Sequence, residues 1–286
     1  MTDIFDKKFL LMNKKYTLTI SKPSGATVTL TYNGNTVTYS APLKIKKGTT
    51  VNYTVTQSNT TTKSGSFTMN SNKTLTVSRE SSTTYGNYVL NSMWSNNGAP
   101  FNTSTGYLGT FSSSAYVESS STPDNFMSTS SWTVSISFKI TSTSGNNTIL
   151  GGSIFGLTTG GYNYHNLTIN ADGTTLKVLW GGTTIASGTI SASSSFKTIT
   201  VTKNSSGYTV SGAISGTKSS TSASNWSSSY NLFLGRRSAG GVNASNLYGT
   251  AITIDTANSY ITTTSGTKYF SSRTSSTTYY FTVTIS

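Results

Sequence analysis

From Tyr16 to the end of the chain, apolar residues alternate with Thr, Ser or Lys, as in Trp132-Thr-Val-Ser-Ile-Ser-Phe138. A period of two puts every second side chain on one face of an extended strand, and no window after the first dozen residues holds the 3.6 period of a helix. The chain is therefore expected to be all-β. Ser and Thr make up 107 of the 286 residues, and only 9% of residues are charged. The 12% aromatics and the regular spacing of Val, Ile and Leu set this apart from a disordered stalk. The hydroxyl residues instead fill the polar faces of strands.

Turn residues divide the pattern. In the first block, strands are expected at 16–21, 26–32, 36–39, 43–45, 50–56, 65–69 and 73–78, with Asn33-Gly34 suited to a two-residue hairpin that needs positive φ. These strands make a small two-sheet module over 14–80. A polar stretch, Ser81-Ser-Thr-Thr-Tyr-Gly-Asn87, reads as a linker. Twelve further strands, the last at 279–285, follow in 88–286 and describe one large antiparallel sandwich. The tail 263–286 is either its last strand or an extension that pairs with a neighbour.

The first thirteen residues differ. Ile4, Phe5, Phe9 and Met12 share a face if this arm is helical, and Lys14 and Lys15 follow it. The arm either docks on a neighbouring protein or folds back over its own module. It carries Asp3 and Asp6 where a secretory signal has positive charge, so export by that route is not expected. No run approaches the ~20 apolar residues of a membrane span.

Composition also removes most chemistry. With no cysteine, one histidine and seven carboxylates, the chain has no thiol nucleophile, no disulfide and no His or Cys zinc set. Glycosidases need two carboxylates flanking the scissile bond. No Glu-x-Asp-x-x-Glu arrangement is present; Glu118 and Asp124 are six residues apart, and Asp255 stands alone. No Gly-x-Ser-x-Gly elbow accompanies His165. The expectation is a protein that is not an enzyme and has no cofactor. Calcium has only Asp124 and Asp255 as weak candidate ligands, too few carboxylates for an ordinary site.

Binding asks for less. An aromatic face beside Asn, Ser or Arg donors suits a sugar, and the same residues suit protein contact. The candidates are Tyr162, Tyr164 and His165 after Gly160-Gly161, Trp180 before Gly181-Gly182, Trp226 in a Ser-rich connection, and Arg236-Arg237 at a strand end. Trp132 and Trp180 also fall in alternating strands, where the core competes for them. The net charge of +13 is carried as +8 in 1–82 and +5 beyond. No recognition helix or RNP-like motif accompanies it, so an acidic protein surface fits better than nucleic acid.

Three resemblances follow. Ser21-Lys-Pro-Ser-Gly-Ala-Thr-Val28, Ala41-Pro-Leu-Lys-Ile-Lys-Lys-Gly48 and Val51-Asn-Tyr-Thr-Val55 resemble PEGA and related immunoglobulin-like modules, which implies a non-catalytic spacer or docking unit. Gly109-Thr-Phe111, Ala115-Tyr-Val117, the strand at 132–138, Leu167-Thr-Ile-Asn-Ala-Asp-Gly-Thr-Thr-Leu176 and Asn231-Leu-Phe-Leu-Gly235 are similar, in order and spacing, to the concanavalin A-like, laminin-G-type jelly roll. That fold hosts lectins, glycosidases and adhesion modules alike. The combination resembles bacteriophage virion proteins that decorate a capsid or belong to a head fibre or tail. It implies a virion-surface protein present in many copies, with residues 1–80 bound to capsid or other virion proteins and the jelly roll facing a host glycan. A bacterial cell-surface or secreted lectin is the competing expectation.

Overall fold

A computed structural model describes residues 13–112, 114–119, 131–143, 152–158, 165–180, 183–219, 232–236 and 248–286. The N-terminal arm with Ile4, Phe5, Phe9 and Met12 lies outside them, as do Asp124, Tyr162, Tyr164, Trp226 and Arg237. The described residues contain strands and turns and no helix, as the two-residue period requires.

The strands are β1 (Lys15–Ser21), β2 (Thr27–Tyr32), β3 (Asn35–Thr38), β4 (Leu43–Lys46), β5 (Thr50–Thr56), β6 (Lys63–Thr68), β7 (Lys73–Leu90), β8 (Trp94–Asn97), β9 (Phe101–Asn102), β10 (Tyr107–Gly109), β11 (Tyr116–Ser119) and β12 (Trp132–Ile140). They continue with β13 (Gly152–Thr158), β14 (His165–Asp172), β15 (Thr175–Trp180), β16 (Thr183–Thr189), β17 (Lys197–Asn204), β18 (Gly207–Gly212), β19 (Gly216–Lys218), β20 (Leu232–Leu234), β21 (Ile252–Thr263), β22 (Gly266–Tyr269) and β23 (Ser271–Ile285). Two compact units result, one of Met1–Gly86 with Ser275–Ser286 and one of Asn87–Thr274.

The smaller unit is a sandwich of two four-stranded sheets, β23-β7-β1-β4 and β3-β2-β5-β6. Alternation in β1 and β5 turns Leu18, Ile20, Val51 and Val55 inward against Val28, Leu30, Ile45, Leu75 and Phe281. The expected hairpin closes β2 onto β3 with Tyr32 opposite Asn35, and its turn residues Asn33 and Gly34 have φ of 50° and 77°. Asn tolerates that left-handed conformation and Gly is free of its steric penalty.

The larger unit packs an eight-stranded sheet, β19-β18-β17-β12-β21-β10-β9 with β22 on β21, against a seven-stranded sheet, β16-β15-β14-β13-β20-β11-β8. Their facing sides share one core, including Phe111, Val117, Trp132, Phe138, Leu167, Val178, Val201, Leu234 and Ile254. Strand β12 lies at the centre of its sheet between β17 and β21, and all nine of its residues are at least partly buried.

Two boundaries differ from the sequence reading. Residues 81–87, expected as a linker, are strand: they belong to the eighteen-residue β7. The 279–285 strand, expected in the larger sandwich, is part of β23, which pairs with β7 in the smaller unit. Thr74 and Ser286 exchange backbone hydrogen bonds of 3.0 Å each, and Phe281 is buried among residues of the first block. A Ser/Thr run has no apolar face to announce a strand, and its partner lies about 200 residues away, so local pattern could not show the pairing.

Candidate functional site

In the larger unit, the side of the seven-stranded sheet that faces away from the shared core carries an aromatic and guanidinium cluster. Val117 and Leu234 point into the core and oppose one another in register, so their neighbours Tyr116, Glu118 and Phe233 point outward. Phe233 is nonetheless only 1% exposed. Its ring lies 6.2 Å from that of Tyr116, and the Arg236 guanidinium sits over both, 4.2 Å from the Tyr116 centroid and 5.8 Å from that of Phe233. Tyr248, bridged to Arg236 through the backbone, places a third ring 5.9 Å away.

The backbone aims Arg236 there. Gly235 has φ of 73°, a conformation costly for other residues, and a Cβ added to it would fall inside the Phe111 ring. The chain can thus turn at the end of β20 and lay Arg236 along the sheet. Arg236 is 9% exposed, and its Nε has no hydrogen-bond partner among the described residues. Cation–π attraction offsets part of the desolvation of such a charge, but it leaves the Nε–H without an acceptor among the described residues. At the margin, Asn97 Nδ2 donates to Glu118 Oε1 at 3.0 Å. The arrangement can stack a flat apolar face and donate hydrogen bonds to oxygen.

The other expected residues fall elsewhere. Trp180 is not a sugar platform: its ring packs in the core, 5.9 Å from Trp132 and 5.0 Å from Tyr208. An alternating strand sends one of its two faces inward, and the Trp180 face is that one. His165 begins β14 opposite Thr158 of β13. Asp255 is buried, and both carboxylate oxygens are engaged locally, accepting from Asn258 Nδ2 at 2.8 Å and from the Asn258 backbone N–H at 3.3 Å. It braces the irregularity where the β12–β21 register shifts between Ser135 and Ser137, which explains it without a metal. Among the described residues no three His, Cys, Asp or Glu side chains cluster as a metal site.

Tyr116, Phe233 and Tyr248 were not singled out from the sequence. One signal was available: Leu232-Phe-Leu234 is apolar at three successive positions, so one of the three had to face away from the core. Nothing local said what would cover it.

The smaller unit carries a second feature. Pairing of β1 with β4 places Lys15 directly opposite Lys46 and Thr17 opposite Lys44, on the face opposite buried Leu18 and Ile45. Lys44 Nζ donates to Thr17 Oγ1 at 2.7 Å, and the Lys47 backbone N–H donates to the Lys14 carbonyl at 2.8 Å. Lys14, Lys15, Lys44, Lys46 and Lys47 are all exposed. Like charges directly opposite on an antiparallel pair are destabilising. Glu80 is the only described carboxylate of this unit.

No protein-family model matches the chain, and no curated protein matches its sequence. Among solved structures it is similar to the botulinum neurotoxin type G receptor binding domain, at 11% identity and a TM-score of 0.38 over 62% of this chain and 43% of that one. It is also similar to the VIP36 exoplasmic/lumenal domain, at 14% identity and 0.35 over 57% and 83%. A third likeness is to the carbohydrate esterase of Shiga toxin-encoding bacteriophage phi24B, at 13% identity and 0.34 over 57% and 87%. The chain spans under half the length of the botulinum neurotoxin receptor-binding domains it matches. At these identities the likeness is one of strand architecture.

Proposed function

We propose that this chain is a non-catalytic adhesion protein whose larger unit binds a saccharide and whose smaller unit docks on the acidic surface of a particle. The observation that carries the reading is Arg236, held beneath the surface against Tyr116, Phe233 and Tyr248 with its Nε unpaired. The half-buried Tyr116 and Tyr248 supply the apolar face that a sugar stacks on, the buried Phe233 backs them, and the guanidinium edge supplies a directed donor for its oxygens. Tyr162, Tyr164, Trp226 and Arg237 remain part of the proposal as sequence candidates for saccharide contact.

The non-catalytic part rests on where the carboxylates lie. Among the described residues, Glu118 is on β11 of the seven-stranded sheet, hydrogen-bonded to Asn97; Asp172 ends β14 of that sheet, with β13 and β20 between the two strands; Asp255 is on the eight-stranded sheet, bonded to Asn258; Glu80 belongs to the other unit. A glycan panel probed with the full chain tests the reading. Saccharide binding is expected, with at least tenfold weaker binding by Arg236→Gln at unchanged thermal stability and no turnover of any bound glycan. Turnover abolished by Glu118→Gln would make the chain a hydrolase instead.

The particle we assign is a phage virion, with capsid or other virion proteins as partners, because the exposed Lys15, Lys44 and Lys46 face suits an acidic protein lattice. The bacterial lectin is the second reading. Co-sedimentation of the full chain with purified virions at low salt supports the first, and glycan binding without co-sedimentation supports the second.

A further inference from the structure

Most of the smaller unit follows the rule that one face of each strand is buried, but part of β7 and β23 breaks it. Every residue from Ser78 to Gly86 on β7 and from Ser275 to Tyr280 on β23 is exposed, so here both faces of the two-stranded ribbon are open to solvent. Tyr85, Tyr279 and Tyr280 are among the most exposed large side chains of the described residues, at 63%, 36% and 40%. An isolated two-stranded ribbon is marginally stable at best in water. Within it the described side-chain contacts are light: Thr83 Oγ1 meets Thr277 Oγ1 at 3.2 Å, Thr278 Oγ1 donates to the Ser82 carbonyl at 3.4 Å, and Arg79 lies 3.9 Å from the Tyr279 ring centroid.

Apart from a parallel bridge of Thr61 to Tyr280, the edges are as open as the faces. Strand β1 pairs with β7 only as far as Thr76, so β7 has no second neighbour beyond it in its sheet. Strand β23 is the outermost strand of that sheet. Thr74 and Ser286 exchange both backbone bonds, and Thr83 faces Thr277 in the same antiparallel register. Even-numbered residues of β23 therefore turn their backbone groups toward β7, and odd-numbered ones turn theirs outward. The Tyr279 carbonyl fits this rule: it accepts the Thr61 N–H from the outer side at 2.8 Å. The backbone groups of Ser275 and Thr277 point outward in the same way, and among the described residues none bonds to them from that side. The usual side-chain protections of such an edge, charged residues or Pro, do not occur within 275–279.

We propose that this ribbon is a self-association element: the β23 edge of one chain adds to the β23 edge of a second copy, and the exposed tyrosines close over the joined sheet. Charge selects a second copy as the occupant. Residues 81–117 and 274–286 contain no Asp, Glu, Lys or Arg, and the ribbon's only charges, Arg79 and Glu80, are adjacent and cancel, in a chain that carries +13. An acidic partner gains nothing there, whereas two copies that repel each other elsewhere meet least repulsion at this ribbon. Identical edges also satisfy the two-fold requirement that one patch complement itself, and Ser and Thr pair favourably across strands. The inference does not depend on saccharide binding.

The test is sedimentation velocity of the full chain across a concentration series, beside Thr277→Pro and Thr277→Lys. Proline at 277 removes an outward N–H and no backbone bond to β7; lysine places a charge on the edge while keeping the N–H, and both changes remove the same Thr83–Thr277 hydroxyl contact. The expected result is a reversible dimer or larger closed assembly for the natural chain, with at least a tenfold weaker association constant in both variants and thermal unfolding preserved in at least one. A monomer at all concentrations, or association that both folded variants retain, overturns the proposal.

Discussion

Tyr208 shows how a residue can be central to packing while its polar atom is a burden. Its ring fills the space beside Trp132 and Trp180, and its hydroxyl is buried with no hydrogen-bond partner. Burial pushes the phenol up to about 12, because the phenolate would lose its solvation. Between pH 10 and 12 the unfolded chain releases this proton and the folded one keeps it, so the contribution is full below pH 10 and lost as pH rises through that window. Tyr208→Phe keeps the ring and deletes the unpaired hydroxyl. Denaturant unfolding at pH 7 is expected to show stability unchanged or raised by up to about 1 kcal/mol, and the variant is expected to lose less stability than the natural chain between pH 10 and 12. Trp180→Ala, by contrast, opens a cavity in the same cluster and is expected to cost about 3–5 kcal/mol.

At the scale of elements, β23 is the strand that sequence pattern misassigned, and its packing gives a direct check. Phe281 is buried in the smaller unit with Leu18, Val28 and Leu75, far from it in sequence. Phe281→Ala is expected to destabilise that unit by about 3–5 kcal/mol, read as earlier loss of amide protection in β1, β2 and β5 by hydrogen exchange, with strands β12 and β17 unaffected. If β12 lost protection and β1 did not, the assignment of β23 would be wrong. The Lys15–Lys46 pair is a second element-scale case. Lys46→Glu replaces repulsion by an opposite-charge pair and is expected to stabilise the smaller unit by about 0.2–1 kcal/mol. The same change is expected to weaken co-sedimentation with an acidic particle, so gain in stability and loss of docking would appear together. A packing role alone would not produce that opposition.

At the scale of the molecule, the charge distribution and the fold divide the work. Eleven of the twenty basic residues lie in the first 82. Docking that uses them is an interaction between exposed charges, screened over about 10 Å at 0.1 M salt. Particle binding is therefore expected to fall by at least tenfold between 50 and 300 mM salt, while saccharide binding through the part-buried Arg236 cluster changes little. Equal salt dependence of the two would argue against separate sites.

Much of this was legible in the chain itself. The two-residue period determined an all-β protein, Asn33-Gly34 determined a hairpin, and Leu18, Val28, Val134 and Ile136 could be placed in cores, because alternation and turn chemistry act between near neighbours. The scarcity of carboxylates and the absence of cysteine limited the chemistry before any fold was known. Tertiary structure alone decided that 81–87 is strand, that 275–286 completes the smaller sandwich, that Trp180 is core, and that Tyr116, Phe233, Arg236 and Tyr248 meet. Each of those depends on pairing between segments distant in sequence, and a strand carries no local mark of which distant edge will satisfy its backbone or which ring will cover its outer face.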